Sequence, residues 1–451
     1  MEVRISPLQD EIATILQEGP KPVHSRWRLE IQLPDGQALY PMKLLSVDIQ
    51  RNYEENFGDY VLVDALFPLG KYNRRILPNK EKLKATLVRK PTGEREPEPE
   101  DVDSAEESRT YRAVLADEHS DVLAASQHSI QSEEGSDLSD LVRAEIQLVD
   151  PALEELRLTE VGGIYRNVLG GDVVKHVLSE QSQALDLPEE DSVQGVDMVE
   201  PDNSRPQKQI IIPHGTRLMD LPEVIQKDWG GVYSNGIGCY LQEGEWFVWP
   251  LYDVERFDQV ASTVTFINVP ADHYPNVERT FRLKGRQLTV VSTGEVRHED
   301  QSHHRQLNEG SGVRYADANR VFEGMGKTQD NRHTVRRGEN TSEFRSVSGA
   351  EVSTSPVKEG RVSSNLFHAV SRMSGNQGST MTLTWEHSDP SLIYPGMPAR
   401  VLYLNEDEVE ELHGVVIGAH HFIHDTRRGI EPGNHVSNSA VTAFFRHHEK
   451  E

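Results

Sequence analysis

The sequence predicts a mainly β protein with an α+β middle section and long polar loops. Three observations carry this. Segments of strict apolar–polar alternation recur toward both ends of the chain, as in Trp27-Arg28-Leu29-Glu30-Ile31-Gln32-Leu33, and a period of two is that of a strand with one buried face. Turn-forming runs such as Pro34-Asp35-Gly36 separate these segments; proline presets one turn dihedral and glycine supplies a positive one. Between residues 159 and 275 the period lengthens in places to that of a helix, and the stretch 208–252 is the richest in aromatic and apolar residues.

Taken in order, residues 1–20 read as an amphipathic arm. Ile5, Leu8, Ile12, Ile15 and Leu16 recur at helical spacing, and Gly19-Pro20 stops it. Residues 21–158 supply strands at Trp27–Leu33, Leu44–Ile49, Tyr60–Phe67, Lys82–Val88, Tyr111–Leu115 and Leu141–Val149. Such a run of short strands makes a small barrel or sandwich. It is broken by an acidic tract at 94–108, eight acids against one Arg, and by a polar stretch at about 125–139. Neither can bury a core, so both read as loop or disordered. Two readings stay open: one β-domain with an acidic insertion around 94–140, or a plain linker between two domains.

Residues 159–275 read as a compact α+β middle domain. Asp172 is a candidate N-cap for a helix whose stripe is Val173, Val174, Val177 and Leu178. Ile210-Ile211-Ile212 reads as a buried strand ended by Pro213-His214-Gly215-Thr216. Leu221–Gln226 is a helix with Pro222 in its first turn, where the missing N–H costs nothing. Trp246–Tyr252 closes the unit as a strand and holds two of the five Trp, so its core is the surest in the chain. Residues 276–451 return to β-structure: strands within 279–292, then Thr382–Trp385, Ala399–Leu404, Leu412–Ala419 and Ser439–Phe445, with a rigid turn at Tyr394-Pro395-Gly396-Met397-Pro398. The polar stretch 293–360 is a long functional loop or a segment ordered by partners.

Composition excludes several function classes. Lys plus Arg is 47 and Asp plus Glu is 73 in 451 residues, a net charge of −26. Nucleic-acid binding normally needs a clustered basic face, and docking on an anionic membrane needs the same sign. The hydrophobic fraction of 36% implies long solvated segments or surface covered by partners. With 33 Gly and 24 Pro, neither a collagen-like nor a wholly disordered chain fits. Cys239 is the single cysteine, which removes internal disulfides and Cys-based zinc sites. It lies in an apolar strand and reads as core. No apolar run approaches the roughly 20 residues that span a bilayer, and Met1-Glu2-Val3-Arg4-Ile5 lacks a signal-peptide pattern. The expectation is a soluble, acidic protein made in the cytoplasm.

Candidate chemistry is sparse. His420-His421-Phe422-Ile423-His424-Asp425 follows an apolar strand. Residues four apart on a strand are roughly 13 Å apart, so His420 and His424 cannot grip one ion and read as solvated or interfacial. His298, His303 and His304 stand in the polar loop without a partner at a telling spacing. Gly236-Ile237-Gly238 lacks the third glycine and the strand-to-helix crossover of a dinucleotide site; it reads as a turn. His214-Gly215-Thr216-Arg217-Leu218 shares a Thr and a Leu with the turn that opens some glycan-binding modules, lacks its Asp, and reads as a turn and helix start. There is no P-loop and no Gly-x-Ser-x-Gly elbow. No catalytic residue, cofactor or metal site is assigned.

Three stretches carry a resemblance: Leu141–Val149 with Val161–Val168 and the helix to Leu178; Ile210–Tyr252 with its Trp229-Gly230-Gly231-Val232-Tyr233 and Trp246-Phe247-Val248-Trp249-Pro250 motifs; and Tyr394–Pro398 with Gly414–Gly418 and the His420-His421 strand. Together they resemble the baseplate hub protein of contractile bacteriophage tails. The resemblance implies two tube-like β-barrels, at 21–158 and 276–451, flanking the middle domain. It implies a homotrimer whose six barrels match a six-fold tail tube while a three-fold face carries the central spike. Tube or tube-initiator, spike and baseplate-wedge proteins would be the partners, and duplex DNA would pass through without stable binding. The place is the virion tail. Trp27–Leu33 and Leu412–Ile423 are the expected barrel walls. The expected structural or interface residues are Trp27, Trp229, Trp246, Trp249, Pro395, Gly396, Gly414, His420 and His421, with the tryptophan-rich middle domain bracing the barrels or a neighbouring subunit. Two competitors remain: another virion component such as a tube initiator or wedge subunit, and a cell-wall hydrolase with a glycan-binding middle module.

Overall fold

The alternating segments form strands in the computed structural model, which describes residues 6–18, 24–92, 107–116, 141–204, 206–229, 231–233, 236–270, 279–294, 313–316, 341–344, 379–405, 408–427 and 433–445. The arm is a helix, Ser6–Glu18. The first β section holds β1 (His24–Gln32), β2 (Ala38–Leu39), β3 (Lys43–Asn52), β4 (Tyr60–Pro68), β5 (Lys84–Thr92), β6 (Glu107–Leu115) and β7 (Leu141–Val149). The middle holds the helix Pro151–Leu158, β8 (Glu160–Val168), the helix Gly170–Gln183, β9 (Gly195–Met198), β10 (Gln207–Arg217), the helix Leu221–Asp228, β11 (Ile237–Gln242) and β12 (Glu245–Pro250). There follow β13 (Thr263–Asn268), β14 (Phe281–Lys284), β15 (Gln287–Ser292), β16 (Val313–Ala316), β17 (Thr341–Phe344), β18 (Ser379–Trp385), β19 (Pro398–Asn405), β20 (Glu408–Asp425) and β21 (His435–Phe445).

Strand pairing closes two circuits. In the first, β3 pairs β4, β4 pairs β7, and β7, β6, β5 and β1 follow in order. β1 then meets β21 at one residue pair, Ser25 with His435, and β21 returns through β20 to β3. In the second, β15 pairs β13, β13 pairs β19, and β19 pairs β20. β21 and β18 follow, and a bridge from Thr384 to Thr293 brings the path back to the end of β15. A closed sheet has no exposed edge to manage, and each circuit surrounds its own apolar core.

β20 and β21 belong to both circuits. Residues 408–415 of β20 pair with β19, and residues 418–424 pair with β3. The changeover falls at a bulge between Val416 and Gly418, where an extra residue bends the strand and increases its twist. Glycines allow the close approach. A side chain at Gly414 would stand 2.3 Å from the Phe444 carbonyl oxygen, and one at Gly418 would stand 3.0 Å from that of Arg51.

Local expectations meet four corrections. Ile211 is 42% exposed while Ile210 and Ile212 are buried, and β10 runs on through Pro213–Thr216 with a bulge, so this strand is covered on one face only. Asp172 sits in the first turn of its helix; Leu169 is the cap and has no side-chain bond to offer. Glu107 and Ser108, assigned to the acidic loop, open β6. β13, placed by its position in the middle section, pairs into the second circuit. The rest of the acidic tract (94–106), the polar stretch at 125–139 and most of 293–360 lie outside the described residues; β16 and β17, within that last stretch, pair with one another.

The turn before β19 packs against the middle domain. Gly396 has φ +66°, and a Cβ there would lie 2.2 Å from the Trp249 ring. Gly396→Ala therefore combines a left-handed backbone with an overpacked contact, and is expected to cost about 3 kcal/mol, read as a lower urea midpoint at unchanged m-value.

Candidate functional site

Inward-facing positions of the first barrel change character at one end. On β3 the row runs Val47, Ile49, Arg51; on β5 it runs Ala85, Leu87, Arg89; on β6 it runs Ala113, Tyr111, Arg109. On β1 it ends in Trp27, and on β20 it passes from Ile423 to His421. The alternation that fills the core with aliphatic side chains thus ends in a layer of arginine, aromatic and imidazole groups. Arg51 and Arg89 are only 5% and 9% exposed, and a buried charge must be paired and hydrogen-bonded.

Arg51 is the centre of this layer. Its Nε and Nη2 each donate to Asp59 Oδ2 at 3.2 Å. Its Nη1 donates to the carbonyl oxygens of Pro390 at 3.1 Å and Ile393 at 3.3 Å, in the loop between β18 and β19. Nη2 also faces Glu243 Oε1 at 3.5 Å. Asp59 accepts a further bond from the Tyr240 hydroxyl at 3.0 Å. Gln242 accepts from the Tyr53 hydroxyl at 3.3 Å and donates to the Ile393 carbonyl at 3.0 Å. One guanidinium therefore ties the first barrel, the turn of the β11–β12 hairpin and the second barrel. Burial is the largest single influence and weakens its hold on the proton, but Asp59, Tyr53, Glu243 and Tyr240 together outweigh it and the net shift is upward. Glu243 makes its contact from a left-handed backbone, φ +52°. The two-residue turn requires that conformation, which a glutamate adopts at some cost.

His421 sits against Arg51 and is fully buried. Arg51 Nη1 approaches its Nε2 at 3.5 Å, so Nε2 is the acceptor and Nδ1 carries the hydrogen. Nδ1–H then donates to Ser439 Oγ at 2.6 Å, and Ser439 donates to Ser388 Oγ at 2.6 Å. Burial, then the Arg51 charge and then His420 hold the imidazole well below its ordinary proton affinity. Arg89 reaches Asp389 at 3.0 Å and Glu107 at 3.3 Å, with its guanidinium 5.9 Å from the Trp27 ring centre. Arg109 pairs with Asp150, whose Oδ1 caps the helix Pro151–Leu158 by accepting from Ala152 and Leu153. A cleft of about 360 Å³ remains at this mouth, bordered by Trp27, Arg51, Arg89, Tyr111, Glu243 and Ser391.

Of the expected residues, Trp27, Trp249, Gly396 and His421 meet the junction between the sections. The Trp249 ring is packed by Gly238 and Gly396 and lies edge-on to Tyr53 at 6.2 Å. Pro395 precedes Gly396 in its turn, and the Gly396 carbonyl accepts from Arg256 at 3.3 Å. Gly414 marks the close β20–β21 crossing in the second circuit. Trp246 lies inside the middle core, its indole N–H on Ser182 Oγ at 3.0 Å, and Trp229 ends the helix Leu221–Asp228 half-buried. His420 points outward to Asp48 at 2.8 Å. Sequence reasoning missed Arg51, Asp59, Arg89, Arg109, Glu243 and Asp389. The available signal was register: each arginine continues an inward row by two residues.

No family model matches the chain, and no curated relative does. Among solved structures it is similar to a tail protein from Neisseria meningitidis (TM-score 0.46, 8% identity, 93% of this chain and 96% of that one). It is also similar to the 43 kDa tail protein of prophage MuSo2 from Shewanella oneidensis (TM-score 0.46, 10% identity, 92% and 98%). A third is a type VI secretion component of E. coli described as similar to bacteriophage T4 tail proteins (TM-score 0.40, 8% identity, 92% and 76%).

Arg51→Leu strands Asp59 and the two loop carbonyls, and is expected to destabilise the fold by about 3–5 kcal/mol. Asp59→Asn in the same chain should recover part of that loss in urea titrations. The pH dependence follows from His421. Its folded proton affinity is depressed, so the unfolded chain takes up the proton first as pH falls below about 6.5. Stability should be full above that pH and decline beneath it. His421→Gln should flatten the slope of the melting temperature between pH 6.5 and 5.

Proposed function

We propose that the chain is a structural subunit of a contractile phage tail, acting as the baseplate hub. One observation carries this reading: two closed strand circuits share β20 and β21. A single subunit then presents two barrels at a fixed relative angle, and three such subunits would present six. That number matches the six-fold tube expected of the hub family, while the three-fold assembly beneath accepts the spike. The tube or its initiator, the spike and the wedge proteins are the partners, and the role is positional, without catalysis.

A net charge of −26 suits the passage of duplex DNA, because a negative channel wall repels the phosphate backbone and opposes sticking. The arginine layer is consistent with this, since its positive charges are spent inside the subunit on Asp59, Asp150 and Asp389. Arg89–Asp389 joins the two β sections, Arg51–Asp59 lies within the first and Arg109–Asp150 holds the helix that follows it, so these charges are not offered to DNA.

Light scattering of the purified chain tests the reading. Three copies of a 50.9 kDa chain give about 150 kDa for a closed ring, and negative-stain images of that fraction should show a central hole. Six or twelve copies would favour a tube initiator or wedge subunit, and a monomer that neither spike nor tube protein assembles would remove the hub role.

A further inference from the structure

The first barrel closes with little backbone pairing. β1 pairs with β5 along its whole length, from His24 with Thr92 to Gln32 with Lys84, but it meets β21 at one residue pair, Ser25 with His435. In an antiparallel pair, successive residues turn their N–H and C=O groups toward and away from the partner strand. The Trp27 N–H belongs to the set facing away from β5, and there it meets a side chain in place of a strand. It donates to His435 Nδ1 at 3.4 Å. The other ring nitrogen, Nε2, lies 3.3 Å from the Leu44 carbonyl oxygen of β3. The two contacts fix the tautomer: Nδ1 holds the lone pair and Nε2 the hydrogen. The neutral imidazole therefore bridges β1 and β3 across a seam, beside a cleft of about 250 Å³ bordered by Trp27, Leu29, Tyr40 and Met42.

A proton on Nδ1 undoes this bridge. The imidazolium is a donor at both nitrogens, so Nδ1–H would point at the Trp27 N–H and the β1 contact is lost. The surrounding groups give that cation no other home. His435 is 2% exposed. It faces Asp425 and His424 from β20 and Lys43 from β3, and Arg26 and Arg28 of β1 border the same cleft. Of these only Asp425 is negative, and its oxygens are engaged. Oδ1 accepts the Arg427 N–H at 2.6 Å, Oδ2 accepts the Gly433 N–H at 2.8 Å, and Lys43 Nζ stands 3.4 Å from Oδ2. Burial is the largest influence on His435 and lowers its proton affinity; Lys43 and His424 add to this, and the Leu44 carbonyl and Asp425 oppose it without reversing the sign. We propose that His435 is an acid-released latch on the first barrel: neutral, it holds β1 against β21 and β3; protonated, it lets go of the Trp27 amide and leaves Ser25 as the single tie between β1 and β21. β1 takes no part in the second circuit, so release leaves that circuit and the β20–β21 ladder paired. The opened seam binds the proton first, so the latch holds fully above about pH 6.5 and weakens beneath it.

The same range of pH titrates His421, and the test separates the two by reading hydrogen exchange at one amide. Isotope-labelled tryptophan reduces the backbone spectrum of the full chain to the five Trp. Trp27→Phe assigns the signal of residue 27, and the other signals report the rest of the fold. With rates corrected for the intrinsic effect of pH, protection at Trp27 should fall about tenfold between pH 7 and 5, more than at the other tryptophans. In His435→Gln it should stay level across that range, and in His421→Gln the fall should persist. Constant Trp27 protection in the wild type, a fall in step with the other tryptophans, or a fall that survives His435→Gln overturns the latch. If His435→Gln does not fold, His421→Gln decides: a Trp27 fall that persists there supports the latch, and one that vanishes overturns it.

Discussion

The fold depends on one ladder. β20 and β21 pair from Gly414 with Phe445 to Asp425 with His435, and every strand of both barrels is joined to that ribbon directly or through its neighbours. The bulge between Val416 and Gly418 divides the ribbon between the two circuits. Hydrogen bonds across a continuous antiparallel pair resist shear along the strands, so the two barrels behave as one body with a built-in angle. An ordinary interdomain linker, by contrast, leaves relative motion as the default.

The arginine layer adds a second, directional restraint. Arg51 holds carbonyls of the β18–β19 loop and the Asp59 carboxylate at once, and Glu243 and Gln242 bring the middle section to the same point. Replacing such a buried network by well-packed hydrophobes can preserve or even raise stability, whereas removing one partner is costly. Its value lies in geometry: a planar five-donor group accepts partners in few directions, so the loop, the hairpin turn and the barrel mouth have one mutual arrangement. Trp249 against Gly396 supplies the apolar counterpart of that restraint on the second barrel.

Much of the secondary structure was legible. Alternation located the strands that become β1, β3, β4, β7, β19 and β21, and Pro222 marked its helix start. What the residues could not tell is which strands meet. That β21 closes on β1 depends on contacts between residues 408 positions apart, and no local pattern encodes them. Ile210–Ile212 misled for a related reason: an uninterrupted apolar run suggests cover on both faces, and which faces are covered is decided by the assembled fold, here with Ile211 exposed and its two neighbours buried. At the site, aromatic and glycine signals pointed to Trp27, Trp249 and Gly396, since bulky rings and tight turns are visible one residue at a time. Arg51, Arg89 and Arg109 resembled ordinary solvated strand ends, because burial of a charge is a property of the closed barrel and not of its neighbours in sequence.

The single pair Ser25–His435, reinforced by the Trp27 amide facing the His435 imidazole at 3.4 Å, has a consequence for biosynthesis. The first seven strands leave the ribosome long before their closing partners exist. Until residues 418–424 emerge β3 presents an open edge, and until residues 435–445 emerge so does β1, while the second circuit lacks the same ribbon. Neither circuit can close before β21 is available, so the earlier strands stay partly paired until then and both circuits complete together. Topology of such high contact order folds slowly and exposes pairing edges meanwhile. Chains that each carry −26 repel one another, and that repulsion opposes pairing between the open strand edges of separate copies.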